Sequence, residues 1–461
     1  MVFSSLHFLY IFLPLVMLAH WIAPRRPRNG VLLAASIWFY AWGEPVYVGL
    51  MLFSVAWNYV TGLQLGAAFR PSRRRAILAG AVAVNLAVLG FFKYYGFLAQ
   101  ALNGALGLRL PDYRLPLPIG ISFYTFQAMS YIIDVYRGVT PPQRGLVDFA
   151  AYITMFPQLV AGPIVKYADI REQLSKRSAT LAQVGQGLER VILGLSKKVL
   201  LANNLGLLCE SISAAPNMSV LSAWLGAAAY ALQIYFDFSG YSDMAIGMGR
   251  MLGFTFAENF DYPYRARSVT EFWRRWHISL SGWFRDYVYI PLGGNRVGPG
   301  RHILNLLIVW LLTGLWHGAS WNFVLWGLYY AALLILEKYA TGRALSKLPA
   351  GATRAITLVL VTVGWVIFNN TDFAAMGRYL GCLVGVGASG FADGAFLYAL
   401  RSNGLLVAFA ALCCGPGLRQ WQLKLTGRWP VAALMLFAAL LAACTAYLVH
   451  GSYNPFLYFR F

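Results

Sequence analysis

Two histidines are the residues best suited to proton chemistry. His277 closes the run Phe272-Trp273-Arg274-Arg275-Trp276-His277, and forty positions later Gly314-Leu315-Trp316-His317-Gly318 falls at the middle of a long apolar stretch. An ionisable side chain at membrane depth is costly and by default marks a site of function. Imidazole is the side chain whose ordinary titration lies nearest neutrality, and burial favours its neutral form, which can act as a base. The plainer reading of His317 is a core histidine satisfied by its neighbours. A second polar group lies in Tyr235-Phe236-Asp237-Phe238-Ser239-Gly240-Tyr241-Ser242-Asp243-Met244. There Asp237 and Tyr241, like Ser239 and Asp243, are four apart and share a helix face. Those groups either line a substrate path or pair neighbouring helices.

The elements that must hold the histidines can be read from their flanks. Ser268-Val269-Thr270-Glu271 has the spacing of a capping box, so a helix is expected to start there. Within it Trp273, Trp276, Leu280, Trp283 and Tyr287 recur at spacings of three and four and form one aromatic stripe. His277 lies at its margin, beside the Arg274 and Arg285 side. A basic amphipathic segment of this kind is expected against the cytoplasmic interface, where Arg274, Arg275 and Arg285 meet either anionic lipid or a phosphate-bearing donor. Around His317, Gly314 and Gly318 have the small-xxx-small spacing that lets another backbone approach closely.

Composition limits what such a site can belong to. Of 461 residues 59% are hydrophobic and 12% charged, and the mean hydropathy is +0.58. These values describe an all-α, polytopic membrane protein. The formal net charge of +20 is carried by clusters between apolar runs, such as Arg25-Arg26-Pro27-Arg28 and Arg70-Pro71-Ser72-Arg73-Arg74-Arg75. That is the positive-inside pattern, and it places the N-terminus outside. No nucleic-acid partner is expected, because there is no basic, aromatic-laced soluble module. The five Cys form no CxxC pair and the six His no i,i+4 pair, so no disulfide framework or metal site is expected. Gly-x-Ser-x-Gly and phosphate-cradling glycine loops are missing too.

Apolar runs suggest about ten to twelve crossings, each needing roughly 20 residues. They lie near Leu6–Ala23, Val31–Trp42, Tyr47–Ala68, Ile77–Leu98, Val184–Leu208, Leu221–Phe238, Ile303–Trp316, Trp321–Leu336, Thr353–Phe368, Phe373–Val386, Leu405–Cys414 and Val431–Val449. Between them, Ile119–Asp134 is apolar but carries hydroxyls, Gln127 and Asp134, so it is expected under protein or beside a watery cavity. Phe149–Val165 contains Pro157, Gly162 and Pro163 and reads as a broken element buried in protein. No repeat or soluble module interrupts residues 1–461, so one membrane domain is expected, with its catalytic core at about 230–340.

The runs Phe272 to Leu280, Arg285-Asp286-Tyr287, Leu292-Gly293-Gly294-Asn295-Arg296 and Gly314 to Gly318 resemble the membrane-bound O-acyltransferase family. Within it the chain is similar to the membrane subunit of bacterial alginate O-acetylation. The likeness extends to Met1–Ser5, Pro118–Tyr124, Tyr235–Met244 and Asn454–Phe461. It implies a ring of tilted transmembrane helices around a thin centre, where a cytoplasmic and an outer funnel nearly meet. His317 matches the family's invariant histidine, and His277 a second site that is Asn, Asp or His across the family.

The resemblance further implies an inner-membrane enzyme that uses acetyl-coenzyme A as donor, with no metal or prosthetic group. His317 would be the general base, and His277 with Asn295 would orient it, donate to the developing oxyanion or steady the thioester. Arg274, Arg275, Arg285, Asn295 and Trp316 become candidates for donor binding. The implied partners are a periplasmic SGNH-type acetyltransferase, the exopolysaccharide biosynthesis and export machinery, and membrane lipids. D-alanyl transfer to teichoic acid, or acetylation of cellulose or peptidoglycan, fits the same motifs. A secondary transporter built on Asp237 and Asp243 is a reading from a different class.

Overall fold

A computed structural model describes the chain except for Arg25, Asp112, Arg114, Ala161, Pro216, Ser452, Phe456 and residues 458–461. Part of the first basic cluster, one residue of the broken element and most of the C-terminal motif therefore lie outside the described residues. All regular structure among the described residues is helical. Among them seven helices are long and apolar enough to cross a membrane, from Val48–Ala67 to Pro430–His450, and Phe8–Ile22 is a shorter apolar helix. The chain is a polytopic membrane protein.

The contacts divide it into two compact units, Met1–Val191 with Ser242–Ala257, and Ile192–Tyr241 with Glu258–Phe461. The first unit holds α1 (Leu13–Ile22), α2 (Arg28–Gly43), α3 (Val48–Ala67), α4 (Pro71–Leu106), α5 (Ile121–Arg137), α6 (Leu146–Thr154), α7 (Phe156–Leu159), α8 (Tyr167–Lys176) and most of α9 (Leu181–Ser196). As its hydroxyls suggested, α5 is covered by protein: α3 and α4 pack against it, and nearly all of it is buried. Lys93 of α4 donates to Ser122 at 3.0 Å. The break after α6 is also present. Ser36 of α2 accepts from the Phe156 backbone at 3.1 Å, and Gln158 donates to the Tyr152 carbonyl at 2.6 Å. These bonds satisfy backbone groups that a proline-interrupted helix leaves open.

The second unit contains α10 (Asn203–Ser213), most of α11 (Val220–Met251), α12 (Val269–Arg275), α13 (Ile278–Phe284), α14 (Pro299–His317), α15 (Trp321–Leu336), α16 (Gly342–Leu345), α17 (Ala350–Asn369), α18 (Phe373–Leu383), α19 (Gly394–Cys413), α20 (Gly417–Arg428) and α21 (Pro430–His450). Its centre is an α14–α15 hairpin whose backbones touch. A Cβ at Gly314 would lie 2.3 Å from the Phe323 carbonyl oxygen. At Gly318 it would meet the Phe323 ring at 2.3 Å. Gly314 thus serves the close backbone approach that its spacing suggested, whereas Gly318, extended at the end of α14, makes room for a side chain. Around the hairpin Trp273, Trp276, Trp310, Trp326, Tyr330, Trp365 and Phe368 form one buried aromatic cluster.

The acidic residues of α11 are used in ion pairs. In the second unit, Asp237 and Lys198 are 2.6 Å apart, each only 2% exposed, and Asp237 also accepts from the Leu457 backbone at 2.9 Å. In the first unit, Asp243 pairs with Arg190 at 2.8 Å. Helix pairing is therefore what these carboxylates do here.

Candidate active site

The helix expected to run unbroken from Ser268 through Tyr287 is two helices. It starts as anticipated: Ser268 caps Glu271 at 3.0 Å, while the Glu271 carboxylate accepts from the Arg267 backbone at 2.8 Å instead of from Ser268. Glu337, beyond α15, adds a second cap and accepts from the Val269 backbone at 2.7 Å. A carboxylate there complements the positive end of α12. The helix then stops at Arg275, Trp276 is extended, and α13 begins at Ile278. The segment 259–261 captures the backbone groups at the break. Asp261 N–H donates to the Arg275 carbonyl at 3.0 Å, and Ile278 N–H donates to the Asn259 carbonyl at 3.0 Å. These bonds replace the intrahelical ladder, which amphipathic spacing alone could not reveal. Trp273, Trp276, Leu280, Trp283 and Tyr287 are all buried as their spacing suggested, although the break divides them between two helices.

His277 sits at the break in the left-handed region, with φ 43° and ψ 55°. This conformation costs a residue with a side chain about 1–2 kcal/mol, and such strain gathers at functional sites. The ring is 1% exposed. Phe238 meets it edge-on at 4.7 Å between centroids, and Trp316 lies 5.8 Å away on similar terms. Its Nδ1 is 3.1 Å from Oδ1 of Asn259, which also accepts from the Ser279 backbone at 3.2 Å and the Ser279 hydroxyl at 2.9 Å. Burial away from water holds the imidazole far below its usual titration range, down to about 3. His277 is therefore neutral at physiological pH.

His317 is the last residue of α14, so it occupies the tip of the hairpin, not the middle of a continuous span. It is 5% exposed. Three rings pack against it edge to face: Trp316 at 5.1 Å, Trp326 of α15 at 5.0 Å and Phe368 of α17 at 5.2 Å. Trp316 thus touches both imidazoles, and α12–α13, α14, α15 and α17 all contribute to one aromatic surround. An imidazole held in such packing sheds conformational freedom before any substrate arrives, which is how positioning lowers a barrier.

The remaining candidates are distributed differently. Arg275 is engaged by Asp261 at 2.8 Å and Glu271 at 3.0 Å, an arrangement that ties the break together. Arg274 is exposed. Arg285 is 65% exposed at its side chain and leans on its neighbour Asp286 at 2.8 Å. Asn295 is exposed in the turn before α14. That turn is fastened by Asn305, which donates to the Gly294 carbonyl at 3.1 Å. Asn305 is twelve residues before His317 on the same helix, about 18 Å along its axis. The structure therefore brings His277, Trp316 and His317 together and leaves Asn295 several turns away. Asn259, Glu337, Trp326 and Phe368 were not singled out by sequence reasoning. Only Asn259 carried a faint signal, as a polar residue between apolar runs just ahead of Tyr262-Pro263.

The model of the membrane-bound O-acyltransferase family matches residues 142–368, which include both histidines. The chain is 42% identical to the probable alginate O-acetylase AlgI of Pseudomonas putida, over 100% of both sequences. It is 44% identical to the probable alginate O-acetylase AlgI of Pseudomonas syringae pv. tomato, over 89% of this chain and 81% of that one. The peptidoglycan O-acetyltransferase of Helicobacter pylori is 32% identical over 84% of this chain and 80% of its own. On that family match and those identities, the chain belongs to the membrane-bound O-acyltransferase family.

Proposed function

We propose that this chain transfers acetyl groups from cytoplasmic acetyl-coenzyme A across a bacterial inner membrane, for O-acetylation of an exported polysaccharide. Alginate is the favoured polymer, because the relatives at 42% and 44% identity carry alginate in their names and the peptidoglycan enzyme stands at 32%. The observation that carries the chemistry is the pair of buried histidines in ring contact with Trp316. The basic clusters argue for a cytoplasmic donor side and an N-terminus outside. The ring of helices with a thin centre belongs to this same reading, and so does a periplasmic SGNH-type acetyltransferase that takes the acetyl group onward.

In this mechanism His317 takes the proton of an acceptor hydroxyl as its oxygen attacks the thioester carbonyl carbon. The carbon–sulfur bond then breaks, and the proton passes to the sulfur of the departing coenzyme A. His277 and Trp316 wall the reacting group and exclude water. Arg274 and Arg285, both exposed, are the cations this reading assigns to phosphates of the donor. The ion pairs of Asp237 and Asp243 give no support to a transporter.

Cells lacking their own copy test the reading when complemented with wild type or His317→Ala. Wild type is expected to restore polymer acetylation, and His317→Ala is expected to abolish it at equal membrane abundance. Full acetylation by the variant would remove His317 from the chemistry. Restored D-alanylation or peptidoglycan acetylation, with alginate unmodified, would reassign the acceptor.

A further inference from the structure

The hydrogen bonds at the helix break fix which nitrogen of His277 carries its proton. A backbone N–H can only donate, and the Ser279 N–H reaches the side chain of Asn259 at 3.2 Å. The contacted Asn259 atom must therefore be the carbonyl oxygen, since an amide nitrogen offers no acceptor. The Ser279 hydroxyl, 2.9 Å from the same atom, donates to that oxygen once the backbone N–H has identified it. His277 Nδ1 approaches that same oxygen at 3.1 Å, and an oxygen acceptor requires a donor opposite it. Nδ1 thus bears the hydrogen. In a neutral imidazole the other nitrogen, Nε2, then holds the lone pair.

Asn259 is well built for this task. Its side chain is 1% exposed, and its backbone carbonyl accepts from Ile278 at 3.0 Å on the far side of His277. The asparagine thereby grips the chain on both sides of the left-handed residue. Ring orientation is set at the same time, because Phe238 and Trp316 fill the space around the imidazole.

We propose that Asn259 is a positioning residue for acyl transfer, locking His277 as the Nδ1–H tautomer so that its Nε2 accepts a hydrogen bond in the site. The role rests on the acetyl-transfer reading, but the tautomer does not. His277 then works as an acceptor that orients the proton-bearing nitrogen of the His317 imidazole. It does not donate to a developing oxyanion, which the sequence had left open. The same logic makes an amide oxygen a fitting partner: it selects the tautomer without adding a buried negative charge that would favour the imidazolium.

Nitrogen NMR of the full-length protein labelled at histidine tests this, with the His277 resonances identified by their loss in His277→Gln. Wild type is expected to show a protonated Nδ1 and a bare Nε2. Asn259→Asp, which keeps an oxygen acceptor, is expected to keep Nδ1 protonated. In Asn259→Ala the two tautomers are expected to mix. Its kcat is expected to fall about tenfold or more for the lost hydrogen bond. KM for acetyl-coenzyme A should stay within about twofold, since donor binding is not what the contact controls.

A protonated Nε2 in wild type would overturn the proposal without recourse to any substitution at Asn259. So would an unchanged tautomer in Asn259→Ala, or a mixed tautomer with wild-type kcat. Should no acetyl transfer be found for the wild-type chain, the NMR result still stands or falls by itself, which separates the two failures.

Discussion

His277 and His317 are both buried, yet their surroundings ask different things of them. His317 is enclosed by rings from three helices, whereas His277 is anchored through Asn259 in a strained backbone conformation. A pH dependence follows for His277. Its folded value of about 3 lies below the ordinary 6.5, so the unfolded chain binds the extra proton first. This contribution to stability is intact above pH 6.5 and declines as pH falls through the window toward 3. His277→Gln is expected to unfold with a shallower acid dependence than wild type in detergent solution. The arginines separate at the same scale. Arg275→Gln removes two partly exposed ion pairs and is expected to cost about 1 kcal/mol or less of stability. The pair Arg274→Gln and Arg285→Gln is expected to raise KM for acetyl-coenzyme A and leave the unfolding midpoint in place. An unchanged KM would return both residues to contact with lipid headgroups.

At the scale of elements, the sequence announced the start of α12 and hid its end. Ser268 and Glu271 are local signals, and the capping hydrogen bond is there. The break at Trp276–His277 arises from Asn259 and Asp261, more than a dozen residues upstream, and no 3.6-residue period carries such information. Glu337 is still more remote in sequence. The close approach within the α14–α15 hairpin was legible at Gly314, because only a small residue permits that contact. Gly314→Ala is expected to destabilise the protein by about 1–3 kcal/mol, as its new methyl group would press on the Phe323 carbonyl 2.3 Å away. Gly282→Ala, with nothing within 4 Å of the new atom, is expected to be neutral or stabilising by up to about 1 kcal/mol. Thermal unfolding of the two purified variants compares them directly, and equal midpoints would refute the close packing at Gly314.

Across the whole molecule, hydropathy and charge made the membrane class plain. The number of crossings was less legible, because several apolar helices are short and others extend well past a bilayer, as Pro71–Leu106 does. Helix pairing was one of two readings of α11's carboxylates, but their partners were not legible. Asp237 found its partner in Lys198, and the C-terminal segment folds onto both, Leu457 donating to Asp237 and Lys198 donating to the Pro455 carbonyl. Asp237→Asn is expected to cost about 3–5 kcal/mol by leaving Lys198 uncompensated, whereas Lys198→Met with Asp237→Leu together is expected to be far milder. Retained acetylation by the double variant, measured on the polymer, would show that the pair serves packing. Abolished acetylation with a normal unfolding midpoint would give it a part in the reaction.

Transfer across the membrane is tested most directly in sealed proteoliposomes, with radiolabelled acetyl-coenzyme A supplied only on the face bearing the Arg70 to Arg75 cluster. The acceptor protein or polymer is placed only on the other face. Label is expected on the acceptor with wild type and not with His317→Ala. Acceptor labelled only when both substrates share one face, or labelled equally by the variant, would contradict acetyl passage through a site built on His317.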